Sequence, residues 1–311
     1  MKPNPNSSHA SLANGDRPAH AACGAGQPAR ADTPAWTPTT WRGEQAYELT
    51  AASWRAVVSV ERGRLVHFGP ADTGRNLLFE TASRQDPFSW GGHRVWLGPQ
   101  ALWGWPPPDA WERAAAENVE VNGSRLALLM PDAGSGFPRL TRIYEVSGSR
   151  LACRVAIAGG TQAVQVMQIL QTPQATTVDL TPAPSAQWPR GYFRVGGDIG
   201  PSMEPVFLLP AGVQERPGHV HIAFAGKSDK FAFPPQALAA HTGGRTLLLA
   251  FGESRGTELD APDGGFYTQV YIGHAEAPVV ELEQLSPQWK AGEDAEFTMY
   301  VELAPLAAPK E

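Results

Sequence analysis

The sequence is short of cysteine, of basic runs, of long apolar runs and of helical periodicity, and each shortage removes a class of function. Two cysteines, Cys23 and Cys153, occur in 311 residues. One falls in a Pro/Ala/Gly/Ser-rich N-terminal stretch and the other in an expected strand, so no structural disulfide is expected between them. No CxxC or Cys/His cluster has the spacing of structural zinc. Cys153 reads instead as a small buried apolar side chain. Lys and Arg number 25 against 31 Asp and Glu, a net charge of −6, and no Lys/Arg run stands out. Nucleic acid and anionic membrane surfaces are therefore not expected partners. No stretch approaches the roughly 18 apolar residues of a membrane-spanning helix. There is no P-loop, no GxGxxG and no GxSxG elbow, and no cofactor is implied. The Asp260–Gly265 turn is acidic but lacks the calcium-loop pattern.

What is present is a turn-rich globular chain. Hydrophobic residues make up 42%, with 32 glycines and 29 prolines, enough apolar surface for a sizeable core. Residues 1 to about 35 carry little bulky apolar content, and residues 1–38 read as a disordered arm. Ala29-Arg30-Ala31 resembles a small-residue cleavage site with no apolar run before it. The compartment stays open, with periplasmic or secreted favoured over cytoplasmic. Residues 39–307 read as one domain. Trp54–Val60 and Leu65–Phe68 flank a Glu61-Arg62-Gly63-Arg64 turn, which predicts a hairpin. Asn122-Gly123 and Ser147-Gly148 mark two more. The one helical pattern is Asp109–Glu117, with Asp109 as N-cap. Many hairpins without βαβ alternation predict an all-β, antiparallel sandwich or barrel. Arg84–Trp111 and Thr172–Pro205 are dense in turn-formers and predict long loops.

Five of the ten tryptophans fall between Trp90 and Trp111. Trp96, Trp103 and Trp105 share this segment with His93 and Arg94. Indoles offer flat apolar faces and one N–H, which suit the C–H patches and hydroxyls of a sugar. They suit a local minicore equally well, and both readings stay open. In a strand over Val279–Leu285, Glu281 and Glu283 share one face and Val280 and Leu282 the other. Adjacent carboxylates raise each other's proton affinity, one route to a general base. A solvated strand face is the alternative. His219 and His221 would also share a face, but with no third ligand no metal is expected. His274 lies just before the glutamate strand and could face the same cleft.

Over roughly residues 45–305 the chain resembles the galactose mutarotase-like superfamily, and within it a bacterial group known only as a domain of unknown function. The resemblance rests on four features. They are the Val57–Phe68 hairpin, the Gly74-Arg75-Asn76-Leu77-Leu78 run, Gly91-Gly92-His93-Arg94-Val95-Trp96, and Glu281-Leu282-Glu283-Gln284-Leu285-Ser286-Pro287 followed by Gly292-Glu293. It implies an antiparallel β-supersandwich with a sugar cleft on a concave sheet. In the mutarotases a glutamate takes the anomeric hydroxyl proton and a histidine protonates the ring oxygen, without a cofactor. By position Glu283 is the implied base, Glu281 the second candidate and Arg94 a substrate-hydroxyl donor. The segment that holds the acid histidine in that superfamily reads Gln168-Ile169-Leu170-Gln171-Thr172-Pro173-Gln174 here, with no histidine. His93 is then the candidate acid, and Trp96, Trp103, Trp105 and His274 are candidate substrate contacts. The expected partner is a sugar or oligosaccharide, with the oligomeric state open. The expected function is carbohydrate binding, with aldose 1-epimerase-type isomerisation as its catalytic form. A non-catalytic sugar-recognition protein and a structural protein on the same scaffold are the alternatives.

Overall fold

The computed structural model describes residues 34–81, 91–196, 202–261 and 265–304. Residues 1–33, with Cys23, lie outside this range, as do Trp90 and the first part of the expected 84–111 loop. The first described strand is Thr37–Trp41.

Nearly all regular structure is antiparallel strand. Thr37–Trp41, Glu44–Thr50, Trp54–Ser59 and Arg64–Pro70 form a four-stranded meander. A ten-stranded sheet contains the hairpins Asn118–Asn122/Arg125–Leu129 and Arg139–Ser147/Arg150–Ala158. A seven-stranded sheet runs in the order Ser202–Pro205, Phe193–Gly196, Asp229–Phe233, Thr268–His274, Ala277–Leu285, Gln165–Pro173, Gly92–Gly98. The three hairpins expected from Gly63, Gly123 and Gly148 all form, and each of these glycines has positive φ. This is the conformation glycine reaches without a Cβ clash.

The core lies between the two large sheets. Val95, Leu97, Leu170, Val270, Val280 and Leu282 of the seven-stranded sheet belong to one buried cluster with Leu128, Tyr144, Cys153, Leu249, Met299 and Val301 of the ten-stranded sheet. Cys153 is a free, fully buried thiol whose pKa burial raises well above its ordinary range.

Three sequence expectations need correction. The Gly91–Gly98 stretch is not loop: Gly92–Gly98 is an edge strand of the seven-stranded sheet. The 172–205 stretch likewise contributes strands at Thr177–Leu180, Phe193–Gly196 and Ser202–Pro205. The helix is one turn, Asp109–Glu112, capped by Pro108 rather than Asp109. Arg113 and Ala114 N–H still donate to the Asp109 carbonyl, but the donors beyond them turn to other partners. Ala116 N–H donates to the Val60 carbonyl and Glu117 N–H to that of Leu129.

The glycine pair explains how the edge strand enters the sheet. Gly91 and Gly92 have φ of 74° and 76°, and a Cβ on Gly92 would stand 2.1 Å from the Leu65 carbonyl oxygen. Gly92→Ala is expected to cost about 3 kcal/mol, combining left-handed strain with overpacking against backbone. A urea-unfolding midpoint that stays at the wild-type value would disprove this account of the strand's entry.

Candidate functional site

Strand pairing decides which side chains meet. Arg94 lies opposite Ile169, Ile169 opposite Glu283, and Gln171 opposite Glu281. Across the other side, Gln269 lies opposite Glu283 and Tyr271 opposite Glu281. Lys230 in turn lies opposite Tyr271. Directly opposed residues share a face, so Arg94, Trp96, Gln171, Glu281, Glu283, Tyr271 and Lys230 all project from the outer face, away from the ten-stranded sheet.

These groups form two sets of polar contacts, one centred on Arg94 and one joining Lys230 to Glu283. Arg94 Nη1 donates to Glu281 Oε1 at 2.9 Å, and Gln171 Nε2 donates to the same oxygen at 2.8 Å. Arg94 Nε donates to Glu112 Oε2 at 3.2 Å, and Trp96 Nε1 to the same atom at 2.9 Å. Lys230 Nζ donates to Glu283 Oε2 at 2.7 Å. The Arg94 guanidinium carbon lies 4.4 Å from the Trp96 ring centroid, a cation–π stack.

Burial would destabilise these charges without their partners. For Glu112 burial alone would raise the pKa, but Arg94 and then Arg64 outweigh it and hold the carboxyl below its ordinary range. For Arg94 burial works against the charge, and Glu112 and Glu281 together raise its pKa above the ordinary value. Tyr271 is shifted up by burial first, then by Glu281 and Glu283, so its phenol keeps its proton and can donate.

The tryptophans divide by role. Trp111 is fully buried in the main core, and Trp103 packs against it with its indole N–H on the Leu97 carbonyl at 2.7 Å. Trp96 meets Trp103 and Trp105 edge-on at centroid distances of 5.8 and 6.0 Å. Trp105 is 58% exposed. One segment is thus both minicore and open aromatic surface. With Arg94 over its ring and its N–H on Glu112, Trp96 is a support, and Trp105 is the indole that presents a surface to solvent.

His93 does not join this face. It lies opposite Leu170, which lies opposite Leu282, so it points into the core. There its Nδ1 is hydrogen-bonded to the Tyr144 hydroxyl at 3.1 Å and it is 1% exposed. Burial first, and then Arg142 and Arg64, push its pKa down to about 3. A histidine that shares a strand with Arg94 but differs from it by one residue must take the other face. The expected convergence of His93 with Glu281 and Glu283 across a cleft is therefore overturned. His274 is exposed at the turn that links the Thr268–His274 and Ala277–Leu285 strands and pairs with Ala277. That places it about 13 Å along the strand from Glu281.

Glu112, Lys230, Tyr271 and Gln171 were not singled out from the sequence. Lys230 and Tyr271 sit in alternating strands whose outward positions pair with the glutamate strand only once the sheet order is known. His219 and His221 face outward on the other sheet. His221 Nδ1 and His241 Nε2 engage the two oxygens of Asp179 at 2.6 and 2.9 Å. A cavity of about 470 Å³ lies at the sheet edge beside Arg194, Phe207 and Lys227, and neither strand glutamate lines it.

The chemistry of the face follows from this geometry. A general base must place a carboxylate lone pair within about 2.6–3.2 Å of the proton it removes. Glu281 already accepts from Arg94 and Gln171, and Glu283, 1% exposed, accepts from Lys230. The face is built to exchange hydrogen bonds beside an indole.

No family model matches the chain, and no curated protein matches it in sequence. Solved structures do match. A candidate aldose 1-epimerase from Escherichia coli K12 superposes with a TM-score of 0.58 at 12% identity, covering 84% of this chain and 99% of that one. A galactose mutarotase-like protein from Lactobacillus casei gives 0.56 at 9% identity, covering 83% and 100%. A candidate mutarotase from Salmonella typhimurium gives 0.55 at 11% identity, covering 87% and 94%. Likeness at this identity speaks for architecture alone, and on that ground the chain has the galactose mutarotase-like fold, an antiparallel β-supersandwich.

Proposed function

We propose that the outer face of the seven-stranded sheet binds a carbohydrate and does not convert it. Trp105 is the stacking platform, and Lys230 and Tyr271, the half-buried polar side chains of the face, exchange hydrogen bonds with ring hydroxyls. One observation carries the reading: an indole 58% exposed stands edge-on to Trp96, which is tied to a buried network of charged and amide side chains. Flat apolar surface beside fixed donors and acceptors is the complement of a pyranose. The fold likeness supports the same partner class, since the Lactobacillus casei structure is described as galactose mutarotase-like, although fold does not carry function with it. Binding is favoured over isomerisation because both strand glutamates are engaged by cations and His93 lies on the opposite face.

Glucose and galactose titrations followed by tryptophan emission test the binding. Trp105→Ala is expected to weaken any response at least tenfold, as loss of a stacking aromatic does at interface hot spots. An unchanged affinity would remove Trp105 from the site. Polarimetry of freshly dissolved α-glucose and α-galactose is expected to show no acceleration. Acceleration that vanishes in Glu283→Gln would make the face catalytic and overturn the non-converting half of the proposal.

A further inference from the structure

Glu112 lies far from the strand glutamates in sequence and has neither a motif nor a strand to announce it. It is nevertheless the residue on which the aromatic and charged halves of the face converge. It ends the one-turn helix Asp109–Glu112, and the described chain that leads into that turn carries Trp103 and Trp105. Its side chain is 1% exposed. Oε2 accepts from Arg94 Nε and from the Trp96 indole N–H, and Oε1 lies 3.0 Å from Arg94 Nη2 and 3.4 Å from Arg64 Nη2. Arg64 also donates to its backbone carbonyl. Trp105 leans edge-on against Trp96. One carboxylate therefore fixes the guanidinium above the Trp96 ring, fixes the ring itself, and so fixes what Trp105 rests on.

From this convergence we infer that Glu112 is a positioning residue: it presets the Arg94–Trp96 stack and with it the orientation of the exposed Trp105 platform. It touches no ligand and acts through those two side chains. The inference rests on the sugar-binding reading for its purpose but not for its geometry. A glutamine has the same shape, yet its amide offers one acceptor oxygen where the carboxylate offers two, and it turns an NH₂ toward arginine donors. The stack then loses its charge-assisted bonds, and the platform must be ordered when ligand arrives.

The experiment reads Trp105 directly. Acrylamide quenching is measured for the wild type and Glu112→Gln, each against its own Trp105→Phe counterpart, so that the difference reports Trp105 alone. The expected result is greater quenching and red-shifted emission of Trp105 in Glu112→Gln. Glucose and galactose affinity is expected to fall up to about tenfold, the loss that accompanies ordering one side chain on binding. A melting temperature would shift for any structural role, whereas quenching assigned to Trp105 would not. Trp105 quenching identical to wild type in a folded Glu112→Gln protein would overturn the inference. If that variant does not fold, Trp96→Phe replaces it, because it removes the indole donor and leaves every ion pair in place. It too must raise Trp105 quenching, and an unchanged value overturns the inference. Wild-type protein that binds neither sugar would count against the sugar-binding reading, while the quenching comparison would still decide the role of Glu112.

Discussion

Arg94→Met is expected to lower the unfolding free energy by about 3–5 kcal/mol, the range seen when one member of a buried ion pair is removed. Arg94 is 3% exposed and lies between two carboxylates, Glu112 at 1% and Glu281 at 9% side-chain exposure. Methionine fills much of the same volume, so the loss is not a cavity. It is the desolvation of carboxylates left with too little positive charge. Arg64 still faces Glu112, but Glu281 keeps only the Gln171 amide among these contacts. The double variant Arg94→Met/Glu281→Gln is therefore expected to recover part of the loss, since it removes the stranded charge together with its partner. Urea unfolding with a constant m-value is the measurement. A single variant within 1 kcal/mol of wild type, or a double variant no better than the single, would show that the network is not electrostatically closed as described.

Acid is expected to act on this protein through two buried histidines, His67, whose pKa burial lowers to about 4, and above all His93. Its imidazole titrates near 6.5 in an unfolded chain and at about 3 in the fold, chiefly because burial excludes the charged form. Between those values the unfolded chain binds a proton that the folded chain refuses, so acid favours unfolding. The contribution of His93 is fully present above about pH 6.5 and is lost as pH falls toward 3, on the order of 5 kcal/mol in all. Carboxylates such as Glu112, held low in the fold, add to the loss only at lower pH. His93→Gln cannot titrate, so its stability should fall less steeply than wild type between pH 6.5 and 4, whatever the substitution costs at neutral pH. Parallel wild-type and variant profiles across that window would mean that His93 is protonated in the fold, and that its surroundings are wetter than the burial indicates.

The same histidine shows where reading the sequence reaches its limit. Hairpins at Gly63, Gly123 and Gly148 are local events in which a turn residue specifies its own conformation, and they were legible. The shared face of Glu281 and Glu283 was legible too, because side-chain alternation is a property of one strand. His93 against Arg94 was a question of phase: adjacent residues in a strand always part company, and once Gly92–Gly98 is a strand rather than a loop only one of them can face the glutamates. Glu112 was hidden for another reason. It sits in a segment that reads as two helical turns, but the helix is one turn and the Ala116 and Glu117 amides donate to the Val60 and Leu129 carbonyls instead. Lys230 reaches Glu283 through a sheet order, Asp229–Phe233 beside Thr268–His274 beside Ala277–Leu285, that no local pattern encodes.

The pairing on the outer face carries one more consequence. Arg64, Arg94 and Lys230 balance Glu112, Glu281 and Glu283, three cations against three carboxylates, with Lys230–Glu283 as a separate pair beside the Arg64–Glu112–Arg94–Glu281 chain. Such a patch projects little field beyond itself, so a charged ligand gains no long-range guidance toward it and a neutral one loses none. Capture there is a matter of short-range fit, and its rate should be nearly indifferent to added salt.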